Sequence, residues 1–326
     1  MIRPLASVLR SGRRFCVDRP ALKRRVKRLG YAGIRSLGQV LGPTLDDRPR
    51  LLGYHTVGDE EDDLSVSAVQ FRAQLEWLLR HGFQIRTLRQ WATDVREGRG
   101  VAPRTVILSF DDGFQSLRRR VAPVLAEYGL AATVFVVTDY VGTTNAFDRP
   151  FLQGPELPLA SWEELEALQR LGWDIQAHGR RHRPMVQLDP GALEEEVVGS
   201  KLILERRLGS PVDFFCYPYG AFDLAAVEAI RRAGYLGAVT CRSGVLPQRP
   251  EGDWFRLPRT LVDGLVSLGH FSTVFRRGFL RLSAAERWLR GRAGAQECPF
   301  DELDKLEQVP VMSGQAPARP SEAAPV

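Results

Sequence analysis

Short runs of apolar residues alternate with amphipathic segments over residues 49–281, and this alternation limits the possible folds more than any other feature of the sequence. Several of these runs are apolar throughout, which is typical of strands that are covered on both faces. The predicted strands are Leu51–His55, Val106–Phe110, Thr133–Val137, Trp173–Ala177, Phe214–Tyr217 and Leu236–Thr240, with a further one near Phe255–Leu257. Strand and helix in repeated alternation predict an α/β fold around a parallel sheet, either open or closed.

The amphipathic segments between these runs carry helix start and stop signals. Ser161 precedes Glu164 in the spacing of a capping box, and Gly129 stands where a helix would end. The predicted helices are Ser67–His81, Ser116–Tyr128, a helix capped by Ser161, Pro190–Leu208, a helix from Asp223 to about Gly234, and an amphipathic helix Leu261–Phe279. Active sites of parallel α/β folds lie at the carboxyl ends of the strands, so side chains that directly follow the apolar runs should carry the chemistry.

The chain divides into three zones by composition. Residues 1–48 form a basic arm, residues 49–281 the predicted α/β domain, and residues 282–326 a tail rich in Pro and Ala that is expected to be largely disordered. The formal charge of +6 comes largely from the arm. Residues 19–41 have the pattern of a basic amphipathic helix, which favours peripheral contact with an anionic membrane, although a helix packed on the domain or a disordered arm fits as well. No nucleic-acid-reading module accompanies the charge, so no nucleic-acid partner is expected.

The N-terminal sequence predicts a cytoplasmic protein, with peripheral contact at the inner face of the membrane and other export routes left open. The apolar stretch near the start is interrupted by Arg10, Arg13 and Arg14, which is unlike a secretory signal. No apolar run is long enough for a transmembrane helix. The cysteines are far apart and contain no CxxC pair, so free thiols are expected at Cys16, Cys216, Cys241 and Cys298.

Two adjacent carboxylates follow the second apolar run. Val106–Phe110 leads directly into Asp111, Asp112 and Gly113. Two neighbouring carboxylates at a strand end repel each other unless a cation compensates their charge. A divalent metal would provide that compensation, with one carboxylate as its ligand and the other as a base. Taken alone, the same residues also fit an ordinary Asp-Asp-Gly turn.

Two histidines follow a later run. Trp173–Ala177 leads into His178, and His182 comes four residues later, a spacing that places both side chains on one face of a helical turn. The chain has only 5 His, which makes this pair informative, although surface histidines would look the same. One carboxylate and two imidazoles leave coordination positions open for water and substrate, as in a catalytic metal site.

A third cluster follows Phe214–Tyr217. Its aromatic residues could line a sugar groove or pack in the core, and backbone N–H groups near Tyr219 could stabilise an oxyanion. The predicted substrate-binding residues are Tyr217, Pro218, Tyr219 and Gly220.

Together these clusters resemble a known family. SFDDG (109–113), HGRRH (178–182) and CYPYG (216–220), in this order, are similar to the three leading motifs of the polysaccharide deacetylases of the NodB-homology type, carbohydrate esterase family four. GYHTV (53–57) and AGYLGAVT (233–240) are also similar to family segments, and the resemblance covers roughly residues 50–262. It implies a deformed (β/α) barrel of about seven parallel strands and the hydrolysis of an acetyl group, most often N-acetyl, on a carbohydrate.

The resemblance also implies roles for individual residues. Asp111 matches the general base of the family, and Asp112, His178 and His182 match its metal ligands. Tyr219 matches the position whose backbone N–H faces the oxyanion. The ligand set suits Zn²⁺ best, with Co²⁺, Ni²⁺ or Fe²⁺ as alternatives.

The chain departs from the family pattern at two points. Cys216 stands where the family often has an Arg that braces the catalytic Asp, and Arg259 is the candidate to supply that cation. The Leu-x-His context of the family's general acid is matched by His270, but this residue falls in the predicted helix Leu261–Phe279, so His55 is the preferred candidate for an acid or a substrate contact. Two rival hypotheses remain: a hydrolase of a non-carbohydrate amide on the same scaffold, and a catalytically impaired carbohydrate-binding homologue.

Overall fold

The structure, a computed structural model, describes residues 44–58, 64–149 and 155–281. The predicted membrane-contacting segment 19–41, the predicted tail 282–326 and two of the cysteines, Cys16 and Cys298, lie outside these residues. None of the helices in the described part combines the length and the apolarity needed to cross a lipid bilayer.

A curled sheet of parallel strands organises the described residues. The strands are β1 (Arg50–Tyr54), β2 (Thr56–Val57), β3 (Ser65–Val66), β4 (Gln84–Arg86), β5 (Thr105–Phe110), β6 (Thr133–Val136), β7 (Asp174–Ala177), β8 (Phe214–Cys216), β9 (Gly237–Val239) and β10 (Thr260–Leu261). The main sheet has the order β10-β1-β5-β6-β7-β8-β9, and β4 pairs with the first half of β5. Every pairing in it is parallel, which confirms the predicted α/β barrel of about seven strands.

The seventh predicted strand is displaced along the chain. Trp254–Arg256 form a 3₁₀ turn, and the strand that pairs with β1 begins only at Thr260. The turn is apolar because the side chains of Trp254 and Phe255 are buried, not because the backbone is extended. Between the two elements Leu257 bridges to Val239, so this segment connects the β9 edge of the sheet to the β10 edge.

Helices cover the outer face of the sheet, and those capped by Ser67, Ser161 and Asp223 begin where the sequence indicated. Their bounds are α1 (Ala68–Arg80), α2 (Leu88–Arg96), α3 (Ala122–Ala126), α4 (Trp162–Arg170), α5 (Pro190–Glu194), α6 (Ser200–Leu208), α7 (Leu224–Arg232) and α8 (Leu268–Thr273). Ser161 forms the predicted capping box with Glu164. Two predicted helices contain π turns, at Leu117–Val121 and Glu195–Gly199.

The predicted helix Leu261–Phe279 is wrong over much of its length. Only Leu268–Thr273 is α-helical, and Leu261 belongs to β10. Helix α2 and strand β4 were not predicted. Strand β4 has only three residues, too few for its periodicity to be recognised, and α2 is short for recognition by pattern.

A buried carboxylate supports the start of the barrel. Asp46 accepts hydrogen bonds from Arg48 and from the buried Arg50, each at 2.7 Å. Burial by itself would raise the pKa of Asp46, but the hydrogen bond from Arg48 and the charge of Arg50 lower it from 3.8 to about 2.

Replacing Asp46 by asparagine should therefore lower the free energy of unfolding by about 2 kcal/mol at pH 7. The depressed pKa stabilises the fold fully above the unfolded value of 3.8, and this contribution is lost as the pH falls through about 2. Urea unfolding at pH 7 and pH 2.5 measures it, with the more exposed Asp94→Asn as the control. A deficit of the same size at both pH values would contradict the pH-linked part of this account.

Candidate active site

Two consecutive carboxylates follow β5, and the backbone directs them to different partners. The N–H of Asp111 donates to the carbonyl of Tyr54 at 2.9 Å, which continues the pairing of β1 and β5 by one residue. Asp112 then adopts φ 66° and Gly113 φ 78°. This left-handed turn is unfavourable for a residue with a side chain, and such strain is concentrated at functional sites. Both carboxylates are 2% exposed.

His178 directly follows β7 and presents one ring nitrogen to Asp112. Its Nδ1 donates to the carbonyl of Cys216 at 2.8 Å. That bond leaves the lone pair on Nε2, which lies 3.6 Å from Asp112 Oδ1. Burial lowers the pKa of His178 to about 3, so the ring is neutral at neutral pH, as a metal ligand must be.

His182 reaches the same oxygen from a loop, with Nε2 3.4 Å from Asp112 Oδ1. The predicted helical turn between the two histidines is wrong, because residues 178–182 are not helical. Gly179 has φ 78° and His182 φ 59°, and these left-handed residues bend the loop so that the two rings come within 4.8 Å of each other. The two histidines predicted to lie together do so, but a bent loop brings them together and not a helical turn.

The three ligand atoms fit a divalent metal. Asp112, His178 and His182 place one carboxylate oxygen and two imidazole nitrogens within 4.8 Å of one another. Asp112 Oδ1 is buried and has no hydrogen-bond partner among the described residues. Burial, together with the charges of Asp148 and Asp111, raises the pKa of Asp112 well above its usual range. A cation beside this oxygen would replace the missing hydrogen-bond partner and would favour the ionised form of Asp112.

Asp111 is braced by Arg259, which directly precedes β10. The guanidinium donates to Asp111 Oδ1 at 2.5 Å and to Oδ2 at 2.7 Å, and its NH2 group also lies 3.2 Å from Cys216 Sγ. Burial would raise the pKa of Asp111, but the charge of Arg259 outweighs it and holds the pKa below its usual range. Arg259 therefore occupies the place left by a small Cys216 and keeps Asp111 ionised. Although Asp111, His178 and Cys216 also lie close enough to share an ion, Arg259 already contacts two of them.

His55 follows β1 on the open side of Asp111. Its Nε2 lies 4.0 Å from Asp111 Oδ2, and the side chain is 21% exposed. Burial lowers the pKa of His55, so the ring is neutral at neutral pH. His270, the other candidate for the acid, is buried in α8, where the sequence placed it in a helix.

The third cluster is divided between the core and the site. Tyr217 is fully buried, stacks on Phe222 and donates its hydroxyl to the carbonyl of Phe255 at 3.0 Å, so its ring has no exposed face for a sugar. Pro218 is also buried.

Tyr219 has φ 57° and is half-buried, with the centroid of its ring 4.4 Å from that of His182. Gly220 follows it with φ 68°.

Asp148 is a site residue that the sequence did not reveal. It lies in a 3₁₀ turn, Ala146–Asp148, where its Oδ1 accepts the Tyr219 hydroxyl at 2.9 Å and lies 3.4 Å from His182 Nδ1. Carboxylates in this position orient metal-binding histidines. No apolar run precedes Asp148, so the rule that active-site residues directly follow strands does not predict it.

Comparisons with known proteins agree with this fold. A family model described as polysaccharide deacetylase matches residues 98–238. The poly-β-1,6-N-acetyl-D-glucosamine N-deacetylase of Staphylococcus epidermidis is 25% identical over 213 residues, which is 62% of this chain and 70% of that protein. The Bacillus subtilis protein YxkH is 23% identical over 194 residues, 60% of this chain but only 64% of its own length, so the match spans less than two thirds of that relative.

Solved structures show the same barrel. IcaB from Ammonifex degensii has a TM-score of 0.58 at 25% identity and covers 74% of this chain and 97% of its own. The Streptococcus pyogenes deacetylase PplD, solved in complex with acetate, has a TM-score of 0.60 at 18% identity and covers 71% of this chain and 99% of its own.

Proposed function

We propose, from the premise that the chain belongs to the polysaccharide deacetylase family, that it is a metal-dependent hydrolase that removes N-acetyl groups from a glycan. One observation carries the proposal. The unpartnered Oδ1 of Asp112 faces the Nε2 atoms of His178 and His182, directly beside an ionised Asp111 held by Arg259.

Asp112, His178 and His182 would hold the metal. Zn²⁺ is the ion that this ligand set suits best, and Co²⁺, Ni²⁺ or Fe²⁺ are alternatives. When bound, such an ion polarises a carbonyl oxygen and lowers the pKa of a water molecule. On the far side of His182, Asp148 would keep its ring oriented through Nδ1.

Asp111 is the proposed general base. Its carboxylate is ionised at neutral pH and fixed in orientation by both N–H groups of Arg259, so it accepts a proton from the attacking water without first reorganising. The backbone N–H of Tyr219 is the proposed partner of the oxyanion, a role that comes from the family resemblance.

His55 is the proposed general acid. Its Nε2 lies 4.0 Å from Asp111 Oδ2, too far for a direct hydrogen bond, so the proton that Asp111 takes from water would reach the ring through one bridging water and pass from there to the departing amine. His55 is neutral before the reaction, as the acceptor of such a transfer must be.

His55→Asn should lower kcat for an N-acetylated sugar by about 10²-fold, because an amine leaves poorly without a proton. The loss should be much smaller for 4-nitrophenyl acetate, whose leaving group needs no acid. Steady-state kinetics on both substrates measures this difference, and His81→Asn, at the exposed end of α1, is the matched control. Equal losses on the amide and the ester would remove His55 from the acid role.

The substrate class is proposed from the relatives and from the aromatic side chains beside the metal ligands. The staphylococcal relative is named for poly-β-1,6-N-acetyl-D-glucosamine. Here the rings of Phe147 and Tyr219 lie 4.5 and 4.4 Å from the ring of His182, and both are only partly buried. Partly exposed rings of this kind offer apolar faces to a pyranose. A polymer or precursor containing N-acetylglucosamine is therefore the proposed substrate.

Acetate release tests the function directly. The purified full chain is incubated with β-1,6- and β-1,4-linked N-acetylglucosamine oligomers, a nucleotide sugar and an N-acetylated amino acid, each with and without a chelator. Release from a sugar that stops with the chelator and returns with Zn²⁺ supports the proposal. Release only from the amino acid would favour an amidase on the same scaffold, and sugar binding without any release would favour an impaired homologue.

The location stays a prediction. A cytoplasmic protein that contacts the inner face of the membrane through residues 19–41 remains our proposal on the composition of that segment alone.

A further inference from the structure

A buried carboxylate lies behind the loop that joins the two histidine ligands. Glu196, in the π turn Glu195–Gly199, is 1% exposed. Its Oε2 accepts hydrogen bonds from the backbone N–H groups of Arg180 and Arg181, at 2.8 and 3.0 Å. π turns of this kind are frequent at functional sites, where they redirect a side chain.

The loop needs this support because its backbone is strained. His182 has φ 59°, and a residue with a side chain in that region costs on the order of 1–3 kcal/mol. The opposite edge of the loop is held by the N–H groups of Thr138 and Asp139, which donate to the carbonyls of Gly179 and Arg180. On the other edge, Glu196 accepts hydrogen bonds from the backbone N–H groups of Arg180 and Arg181. Hydrogen bonds to a carboxylate are stronger than those to a neutral acceptor.

Gly179 has a conformation and a size that suit this contact. A Cβ atom at this position would come within 2.7 Å of Glu196 Oε2, and φ is 78°. Only glycine therefore allows the carboxylate to approach the loop this closely. The side chains of Arg180 and Arg181 turn instead to Asp139, at 2.9 and 3.2 Å, so the contact with Glu196 is made by the backbone.

We infer that Glu196 is a positioning residue that fixes the loop carrying His182 and thereby sets the affinity of the site for its metal. The inference rests on the proposed metal-dependent function. Glu196 touches neither the ligand atoms nor Asp111, and it acts through the backbone of residues 180 and 181.

The test is a titration of Zn²⁺ into the metal-free full chain, followed by calorimetry or by competition with a chromogenic chelator. Glu196→Ala should weaken the Kd for zinc by roughly 10–100-fold, the range expected when an outer support of a metal ligand is removed. Glu196→Gln keeps an acceptor oxygen without the charge and should lose less. Glu195→Gln is the matched control, because Glu195 lies in the same π turn but its carboxylate pairs with the exposed side chain of Arg181 and not with the loop backbone of the described residues.

Two further readouts separate positioning from a purely structural role. For the Glu196 variants, excess zinc should restore acetate release toward the wild-type rate, and the stabilisation that zinc gives to Tm should shrink. A lower Tm of the metal-free protein with an unchanged zinc Kd would overturn the inference, and Glu196→Gln decides the matter if Glu196→Ala does not fold.

A wild-type chain that binds no divalent ion would overturn the proposed function itself, whereas normal wild-type binding with unchanged Kd in both variants would overturn this inference alone.

Discussion

Asp111→Asn should lower kcat for acetate release by about 10²–10⁴-fold while the zinc Kd stays within a few-fold of the wild-type value. The amide of asparagine cannot accept a proton from water at neutral pH, yet its oxygen can still take one hydrogen bond from Arg259. The proposed metal ligands are other residues, so the ion should still bind. Steady-state kinetics at saturating zinc, beside a zinc titration of the same sample, measures both quantities.

The unchanged zinc affinity serves as the internal control for folding. The substitution leaves the buried guanidinium of Arg259 without its counter-charge, which is destabilising, so thermal unfolding should accompany the kinetics. Glu127→Gln removes a carboxylate from an exposed ion pair with Arg72 and should behave as wild type in every assay. A rate for Asp111→Asn close to wild type would refute the assignment of the base.

His178→Ala should abolish stoichiometric metal binding and reduce acetate release to the background rate. The imidazole is one of the three proposed ligands, and its loss should weaken the zinc Kd well beyond the 10–100-fold expected for Glu196. Elemental analysis of the purified protein and titration of the metal-free form measure the effect.

The matched control is His81→Ala, since His81 lies exposed at the end of α1 and its ring stacks on Trp77. If His178→Ala retained a full equivalent of zinc, His178 would leave the ligand set, and the site would have to be rebuilt around other residues.

The fold was largely predictable because parallel strands covered on both faces leave apolar runs in the sequence. Thr105–Phe110 and Asp174–Ala177 were found within a residue of their bounds for this reason. Strand β10 was not, because two residues are too few to show a period, and the apolar Trp254 and Phe255 before it drew the prediction to the wrong segment.

The site was predictable where its residues follow strands and hidden where they do not. Asp111, Asp112 and His178 directly follow β5 and β7, and the structure brings their side chains together with His182. Asp148 and Glu196 come from a 3₁₀ turn and a π turn, whose sequences carry no signal of the partner that they meet in space.

Tyr217 shows the opposite limit. Its aromatic ring suggested a sugar contact, but Tyr217 lies just past β8, where the ring is fully buried and stacked on Phe222. An aromatic residue beside a motif therefore does not by itself indicate whether its ring lines the site or packs in the core.

The position of Arg259 along the chain ties chemistry to the order of assembly. During synthesis, Asp111 and then the three proposed metal ligands leave the ribosome before Arg259 is added to the chain. Arg259 directly precedes β10, which pairs with β1. Asp111 therefore gains its counter-charge only when β10 pairs with β1 and closes the barrel. A folding intermediate in which β10 has not yet paired with β1 could therefore bind the proposed metal before Arg259 holds Asp111. Turnover would then be confined to molecules whose barrel has closed.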